Sequence, residues 1–540
     1  MKPLGPLVPW ILRLWLVGLA AVAGAWALAS LFWPFGPDQG CFAYVGDAIV
    51  RGGMPYRDAW DFKGPLVYAV FGVLQAVFGR QMWAIRLLDI VLLAAAAFAA
   101  TSIVSRFASR FAAGGTALLM VLAFANFGSW YTAQPDGWAA LGLVIVAALL
   151  LRAPGQPSAR DVAVAALVLG CCALLKPLYA VFLLLVLVAI WPPRGERRAL
   201  IRPLLVASAT FAAPIAVMLV WLTARGDLGD AFDVHVRFNF ERIRTDPYLR
   251  MSTLHTLQAT LGVLTGSPIL ALATPAAALG AGTLWQERRR AGVLMVLWVG
   301  LSLVLIASQK KFLVQNYSWH PLYPPLGLLA GIGLARLWGA GAGDLRPGRW
   351  LVVVGALALA KMATHDPLVQ IGRWTRYVRG SVTLAEYQSG FEVDVPALGG
   401  GSATDFGFSV PRDVELARYF QAHSRPTDQV FVWNDPFVGY LADRPTIEPV
   451  NLAAAFNVFG TDERRSRYRA DLLSRMRGEH AAYFGAAKKD LTPGPGVYDI
   501  QSRFPELAEL LAAEYEESDV VGDVQLFRHR KQGGGTGSGP

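Results

Sequence analysis

The sequence predicts a polytopic α-helical membrane protein with a water-soluble α/β domain at its C-terminal end. Composition is the first reason. Of 540 residues, 54% are hydrophobic and 16% charged, with a mean hydropathy of +0.40; soluble domains carry about 25% charged residues. The second reason is that apolar runs of roughly 20 residues, long enough to cross a bilayer, recur through the first two thirds. No soluble core of this size buries so much apolar surface, so lipid must be the solvent there. The third is the change after about residue 364, where hydrophobic runs shorten and polar residues interleave.

The first run, Trp10 to Trp33, is too long for the apolar region of a cleaved signal peptide, and no small-residue cleavage site follows it. It reads as a retained helix. Further spans are read at 84–104, 113–127, 137–152, 161–175, 177–192, 203–223, 260–284, 291–308, 319–338 and 350–363, about 11 in all. The two that flank Lys176-Pro177 are short for a full crossing, which points to tilted or broken helices.

Charge tests this count. With the N-terminus inside, the even-numbered loops carry Arg106 and Arg110; Arg152 and Arg160; Arg194, Arg197 and Arg198; Arg288, Arg289 and Arg290; and Arg346 and Arg349. Every dense basic cluster between helices then falls on the cytoplasmic side. This accounts for the net charge of +10 without nucleic acid. Counting the short apolar stretch Pro65 to Gly79 as a span would invert every later loop. It is therefore read as a re-entrant or interfacial helix on the outer side. Cys41, Cys171 and Cys172 give no disulfide framework.

The predicted organisation is a membrane domain over 1–363 with an outer loop at 34–83, a soluble α/β domain over 364–532, and a flexible Gly/Ser-rich tail over 533–540. A second outer loop covers 224–258. In the soluble part, Pro411 to Ser424 reads as a helix, Gln429 to Trp433 as a strand and Thr461 to Gly478 as a charged amphipathic helix. Ala481 to Phe484 reads as a strand, Phe504 to Tyr515 as a helix and Val520 to Phe527 as a strand.

The loop 34–83 is long for a connection, and long structured loops usually carry function. Phe42, Val45, Ala48 and Ile49 form an apolar stripe at helical spacing, closed by Gly52-Gly53. This describes an amphipathic helix lying on the outer membrane surface, with Asp38 at its start. Locally, Asp38 reads first as an N-cap. Its place where the first helix leaves the bilayer, in one loop with Lys63, supports a second reading. A carboxylate and an ammonium near one interface can handle an acceptor proton and a lipid phosphate.

The same loop resembles that of the GT-C glycosyltransferases, in particular the bacterial branch of protein O-mannosyltransferase-like and aminoarabinose transferase-like enzymes. The resemblance rests on Asp38, Tyr44, Gly52-Gly53-Met54-Pro55-Tyr56-Arg57-Asp58, Lys63-Gly64-Pro65-Leu66-Val67-Tyr68 and Arg86-Leu87-Leu88-Asp89. Later segments fit the pattern: Gln134-Pro135-Asp136, Leu175-Lys176-Pro177, Gln309-Lys310-Lys311-Phe312 and Tyr317-Ser318-Trp319-His320-Pro321. The similarity covers residues 10–340 in outline and rests on the order of these motifs. One departure is Asp38-Gln39, where the family often has Asp-Glu, which argues against a two-carboxylate metal site there.

The resemblance implies a GT-C-like fold and a polyprenyl-phosphate sugar donor used on the outer, periplasmic face of a bacterial inner membrane, with inversion at the anomeric carbon. The acceptor is a lipid, glycan or protein hydroxyl. Asp38 is the expected base, with Asp136 as a second acidic residue. The leaving lipid phosphate needs fixed cations; Lys63 is the first candidate, followed by Lys311, Arg237 and His320. Tyr44, Tyr56, Asp58 and Tyr317 are expected to line the substrate site. No cofactor is assigned, and a divalent metal stays open.

Blander readings stand beside these. Lys63 and Lys311 could snorkel to head groups, Asp136 could cap its helix, and His320 could cap the helix after it. Arg237, Arg242, Arg244 and Arg250 could form a solvated face, although Phe238 and Phe240 interleave with them. Lys176 lies near the interface or has a function. Trp433-Asn434-Asp435-Pro436 reads as a turn that could touch the acceptor. The main alternative for the whole chain is a transporter or flippase of lipid-linked sugars, but no internal repeat is visible.

Overall fold

The computed structural model describes residues 7–192, 197–245, 252–266, 268–308, 316–340, 361, 365–391, 409–494, 496 and 498–530. The expected span at 350–363, apart from Lys361, Lys311 and the tail at 533–540 lie outside the described residues. The chain forms two compact units. One comprises 1–33, 82–220 and 251–381; the other comprises 34–81, 221–250 and 382–540.

The first unit is helical. Among the described residues, four helices are long and apolar enough to cross a membrane: Arg13–Ser30, Met82–Val104, Arg198–Ala224 and Arg289–Ser308. Shorter apolar helices run over Arg110–Ala125, Pro135–Leu150 and Pro177–Ile190. The last is broken, as its sequence suggested. Lys176 is extended (φ −159°, ψ 115°), Pro177–Phe182 is a 3₁₀ turn, and Leu183–Ile190 is α-helical. Proline at the first position supplies the fixed φ but no N–H, so it starts the new turn.

Some boundaries differ from expectation. The region read at 260–284 holds two helices, Thr253–Gly266 and Pro268–Glu287. The helix read from 319 begins at Tyr323, after a 3₁₀ turn at Asn316–Trp319; Pro321 cannot donate within a regular helix and delays it. The helices Pro268–Glu287 and Tyr323–Ala340 meet backbone to backbone, because a Cβ on Gly280 or Gly333 would strike the other helix's main chain.

The second unit joins the long loop to the C-terminal region. Pro37–Val50 and Pro65–Phe78 are helices of 14 residues. At about 21 Å, Pro65–Phe78 is shorter than the ~30 Å hydrocarbon core. The two helices pack through small residues. A Cβ on Gly46 would lie 2.9 Å from the Gly72 nitrogen, and Gln75 Nε2 donates to the Ala43 carbonyl at 2.9 Å. Phe42, Val45 and Phe71 are fully buried between them and their neighbours.

The C-terminal region is an α/β fold on a four-stranded sheet: β1 (Val430–Val432), β2 (Tyr483–Ala487), β3 (Tyr515–Val521) and β4 (Val524–His529), in the order β1-β2-β4-β3. β1 and β2 are parallel and the other pairs antiparallel. The single strand read over Val520–Phe527 is instead the end of β3 and the start of β4, split by a tight turn at Gly522-Asp523. Gly522, at φ +60°, allows that turn. Leu416, Phe420, Val430, Val438 and Leu526 form the core. The helices Val410–His423, Asp462–Gly478 and Pro505–Glu514 agree with the sequence reading.

Candidate functional site

Gly36 is the N-cap of Pro37–Val50 and Pro37 its first residue. Asp38 is therefore one position inside the helix, not its cap. Lys63 Nζ lies 3.9 Å from Asp38 Oδ1, with side chains 20% and 24% exposed. The pair is thus half-buried but reachable by a ligand.

The Lys63 loop is fixed from several sides. The Tyr56 hydroxyl donates to the Lys63 carbonyl at 2.8 Å, and the Lys63 N–H donates to the Tyr68 hydroxyl at 2.8 Å. The neighbouring Phe62 carbonyl accepts from Asn239 Nδ2 at 2.8 Å and lies 3.2 Å from His235 Nδ1. His235 sits on a π-helical stretch, Phe232–Phe238; such stretches are frequent at functional sites. Burial lowers its pKa, which favours the neutral ring.

Asp61 was missed by the sequence reading. It is 7% exposed; one oxygen accepts from the Phe62 N–H at 2.8 Å, and the other is buried with no hydrogen bond among the described residues. Burial raises its pKa to about 6, against the pull of Lys63 and with a push from Asp38. Lys63 thus interacts with two carboxylates. The available signal was Asp-Phe-Lys, an acid two residues before the lysine. Burial pushes the Cys41 thiol up as well, with Asp61, Asp38 and Asp435 adding to the effect.

Arg242 adds a second cation. Its Cζ lies 4.4 Å from the Phe62 ring centre and 4.5 Å from that of Phe459, while Lys63 Nζ lies 5.1 Å from Phe62. Two cations therefore share one aromatic ring.

The other expected residues of this unit are placed as follows. Tyr56 is 4% exposed at φ +70°. Asp58 closes its own turn, accepting from the Met54 N–H at 2.8 Å and from Arg57; that bond to Arg57 holds its carboxyl below the usual range. The buried Tyr44 hydroxyl has no hydrogen-bond partner among the described residues. Arg237 is 66% exposed and pairs with Glu241 at 3.3 Å. Its neighbours Asp233 and Glu241 hold Arg464, which is 5% exposed, through four hydrogen bonds. Trp433–Pro436 forms a turn, with Asn434 at φ +63°.

The first unit holds a second acid–lysine pair. Gln134 is the N-cap and Pro135 the first residue of Pro135–Leu150, so Asp136 also sits one position inside. It accepts from Lys176 Nζ at 2.9 and 3.1 Å and from the Tyr179 hydroxyl at 3.0 Å. His320 is 1% exposed and stacks on Phe124 at 5.3 Å, with Phe127 edge-on at 4.1 Å. It lines an apolar cavity of about 110 Å³ with Met120, Leu141 and Leu326. The Tyr317 side chain lies outside the described residues.

The fold of the chain is similar to that of solved structures. The chain superposes on ArnT from Cupriavidus metallidurans bound to undecaprenyl phosphate with a TM-score of 0.60 and 15% identity, over 95% of this chain and 97% of that one. Apo ArnT gives 0.59, 14%, and the same coverage. The archaeal oligosaccharyltransferase AglB from Archaeoglobus fulgidus, in complex with an inhibitory peptide and a dolichol-phosphate, gives 0.50 and 12% over 97% of this chain and 75% of that one.

The fold is that of the GT-C glycosyltransferases. Within this fold, no family profile matches the sequence, and no curated protein matches it either.

Proposed function

We propose that this GT-C-fold chain is a membrane glycosyltransferase that moves a sugar from a polyprenyl-phosphate donor to an acceptor hydroxyl, on the periplasmic face of a bacterial inner membrane. The apposition of Asp38 and Lys63 at 3.9 Å carries the reading. Asp38 takes the proton of the acceptor hydroxyl. The freed oxygen attacks the anomeric carbon, the bond from that carbon to the phosphate oxygen breaks, and the sugar inverts. The products are the glycosylated acceptor and polyprenyl phosphate, and the proton rests on Asp38. Charge that develops on the phosphate is met by Lys63, whose backbone is fixed before the substrate arrives. Arg242, which shares the Phe62 ring with Lys63, is the second phosphate cation.

Asp61 supplies Lys63 with a second counter-charge beside Asp38. Arg237 and His320 take no part. One is engaged with Glu241 at the surface, and the other faces an apolar cavity.

The test is sugar transfer by purified Asp38→Asn and Lys63→Ala proteins reconstituted with polyprenyl-phosphate sugar. Loss of roughly 100-fold or more in rate, with normal membrane insertion, is expected for removal of a base or of a charge-stabilising group. Lys63→Ala should also weaken donor binding. Transfer at the unaltered rate by Asp38→Asn would remove the proposal.

A further inference from the structure

A separate cluster in the C-terminal region brings together two imidazoles and a carboxylate. His480 follows the helix Asp462–Gly478 at φ +58°. Its Nδ1 lies 3.2 Å from the Met476 carbonyl oxygen. A carbonyl only accepts, so the proton sits on Nδ1 and the Nε2 lone pair is free to bind a ligand. This is how metal-binding histidines are commonly held. His529, on β4, is 2% exposed, and its ring lies 4.4 Å from that of His480 at 27°. Its Nε2 is 3.8 Å from Glu514 Oε2.

The three donor atoms all lie within 4.8 Å of one another. A tetrahedral zinc ion with bonds of roughly 2.0–2.1 Å sets its ligand atoms about 3.4 Å apart. Modest side-chain rotation closes the difference. Beside the cluster, Tyr515 meets the His529 ring edge-on at 5.0 Å, and its buried hydroxyl has no hydrogen-bond partner among the described residues. The next donor to a bound ion, a water or an acceptor atom, would satisfy it.

We propose that His480, Glu514 and His529 form a zinc-type divalent-metal site in the C-terminal region. Two neutral imidazoles and one carboxylate suit zinc better than magnesium or calcium, which prefer oxygen ligands. Three protein ligands leave a fourth position open. The metal would tie the end of one helix, the end of another and the last strand of the sheet into one body. The site is independent of the Asp38–Lys63 chemistry.

The experiment uses the full chain, purified in detergent and stripped with a chelator. Zinc is titrated against a chromophoric competitor, and cobalt is added to a parallel sample. One tight zinc equivalent and the visible bands of four-coordinate cobalt are expected. Both should be lost in Glu514→Gln, which keeps the shape, and in His480→Asn, because asparagine tolerates positive φ. Metal-free unfolding temperatures of these variants should match the parent, which separates lost binding from misfolding. A parent chain that binds no zinc more tightly than a surface histidine would, or variants that bind it as the parent does, would leave a His529–Glu514 ion pair in place of a metal site.

Discussion

The Tyr56 hydroxyl donates to the Lys63 carbonyl at 2.8 Å, from a residue 4% exposed and held at φ +70°. One tyrosine thus holds the backbone that carries the proposed phosphate cation. Tyr56→Phe should cost about 1 kcal/mol of stability, the net worth of one hydrogen bond. It should also slow transfer several-fold by loosening Lys63. Thermal unfolding and initial rates on the same preparation check both. An unchanged rate beside a lowered melting temperature would confine Tyr56 to structure.

Asp61 gives a pH signature. Burial raises its pKa from 3.8 to about 6. Between those values the folded chain holds a proton that the unfolded chain has released. Stability therefore falls as pH rises through this window, and the loss is complete above it. Asp61→Asn removes the loss and should stabilise the chain at pH 7 by up to roughly 3 kcal/mol, with no gain below pH 4. The same variant should transfer sugar more slowly, because Lys63 loses its counter-charge. Unfolding curves at pH 4 and pH 7 distinguish these outcomes.

Asp136, which is buried, pairs at 2.9 Å with Lys176, which is partly exposed. Removal of one partner leaves an uncompensated charge and costs about 3–5 kcal/mol. Asp136→Ala should therefore lower the unfolding temperature in detergent sharply. The double variant Asp136→Ala, Lys176→Met should recover much of it. Additive losses would show that the two side chains do not act as a unit.

Arg464 binds Asp233 and Glu241 together, and its hydrogen bonds hold both carboxyls below their usual range. Their stabilisation is present above the unfolded carboxylate pKa of about 4 and is lost as pH falls through the lower folded values. Arg464→Met should cost about 3–5 kcal/mol near neutrality and flatten the acid limb of the stability profile. Denaturation between pH 3 and pH 7 tests this.

Gly46 permits the close approach of its helix to Gly72, where a Cβ would lie 2.9 Å from backbone nitrogen. Gly46→Ala should force the two helices apart and destabilise the fold by about 1–3 kcal/mol, as overpacking does. Gly18→Ala, where nothing lies within 4 Å of the added carbon, is the control.

Much of this was legible in the chain. Apolar runs gave the membrane helices, because lipid demands length and hydrophobicity whatever the topology. Lys176-Pro177 announced a break, since proline cannot continue the preceding turn. The spacing of Asp38 and Lys63 within one loop suggested a shared site, and the fold brings them together. What local pattern could not give was burial. Asp61 looks like any loop acid until the fold removes its water. Arg237 and Arg242 look alike, yet one faces solvent and the other lies on Phe62. Register was equally hidden: Pro37 and Pro135 each take the first helical position and move the following aspartate off the cap. The β3–β4 turn was read as strand because Gly522 is a single residue among β-formers.

The Phe62 carbonyl is bound by side chains 173 and 177 residues further along the chain, and the Trp60 N–H donates to the Pro449 carbonyl at 3.1 Å. The first loop leaves the ribosome long before either partner exists. It must wait, unsupported, while the intervening helices are made and inserted. Assembly of the proposed catalytic corner is thus a late event in biogenesis, and a nascent chain stalled before residue 449 should be inserted in the membrane yet inert.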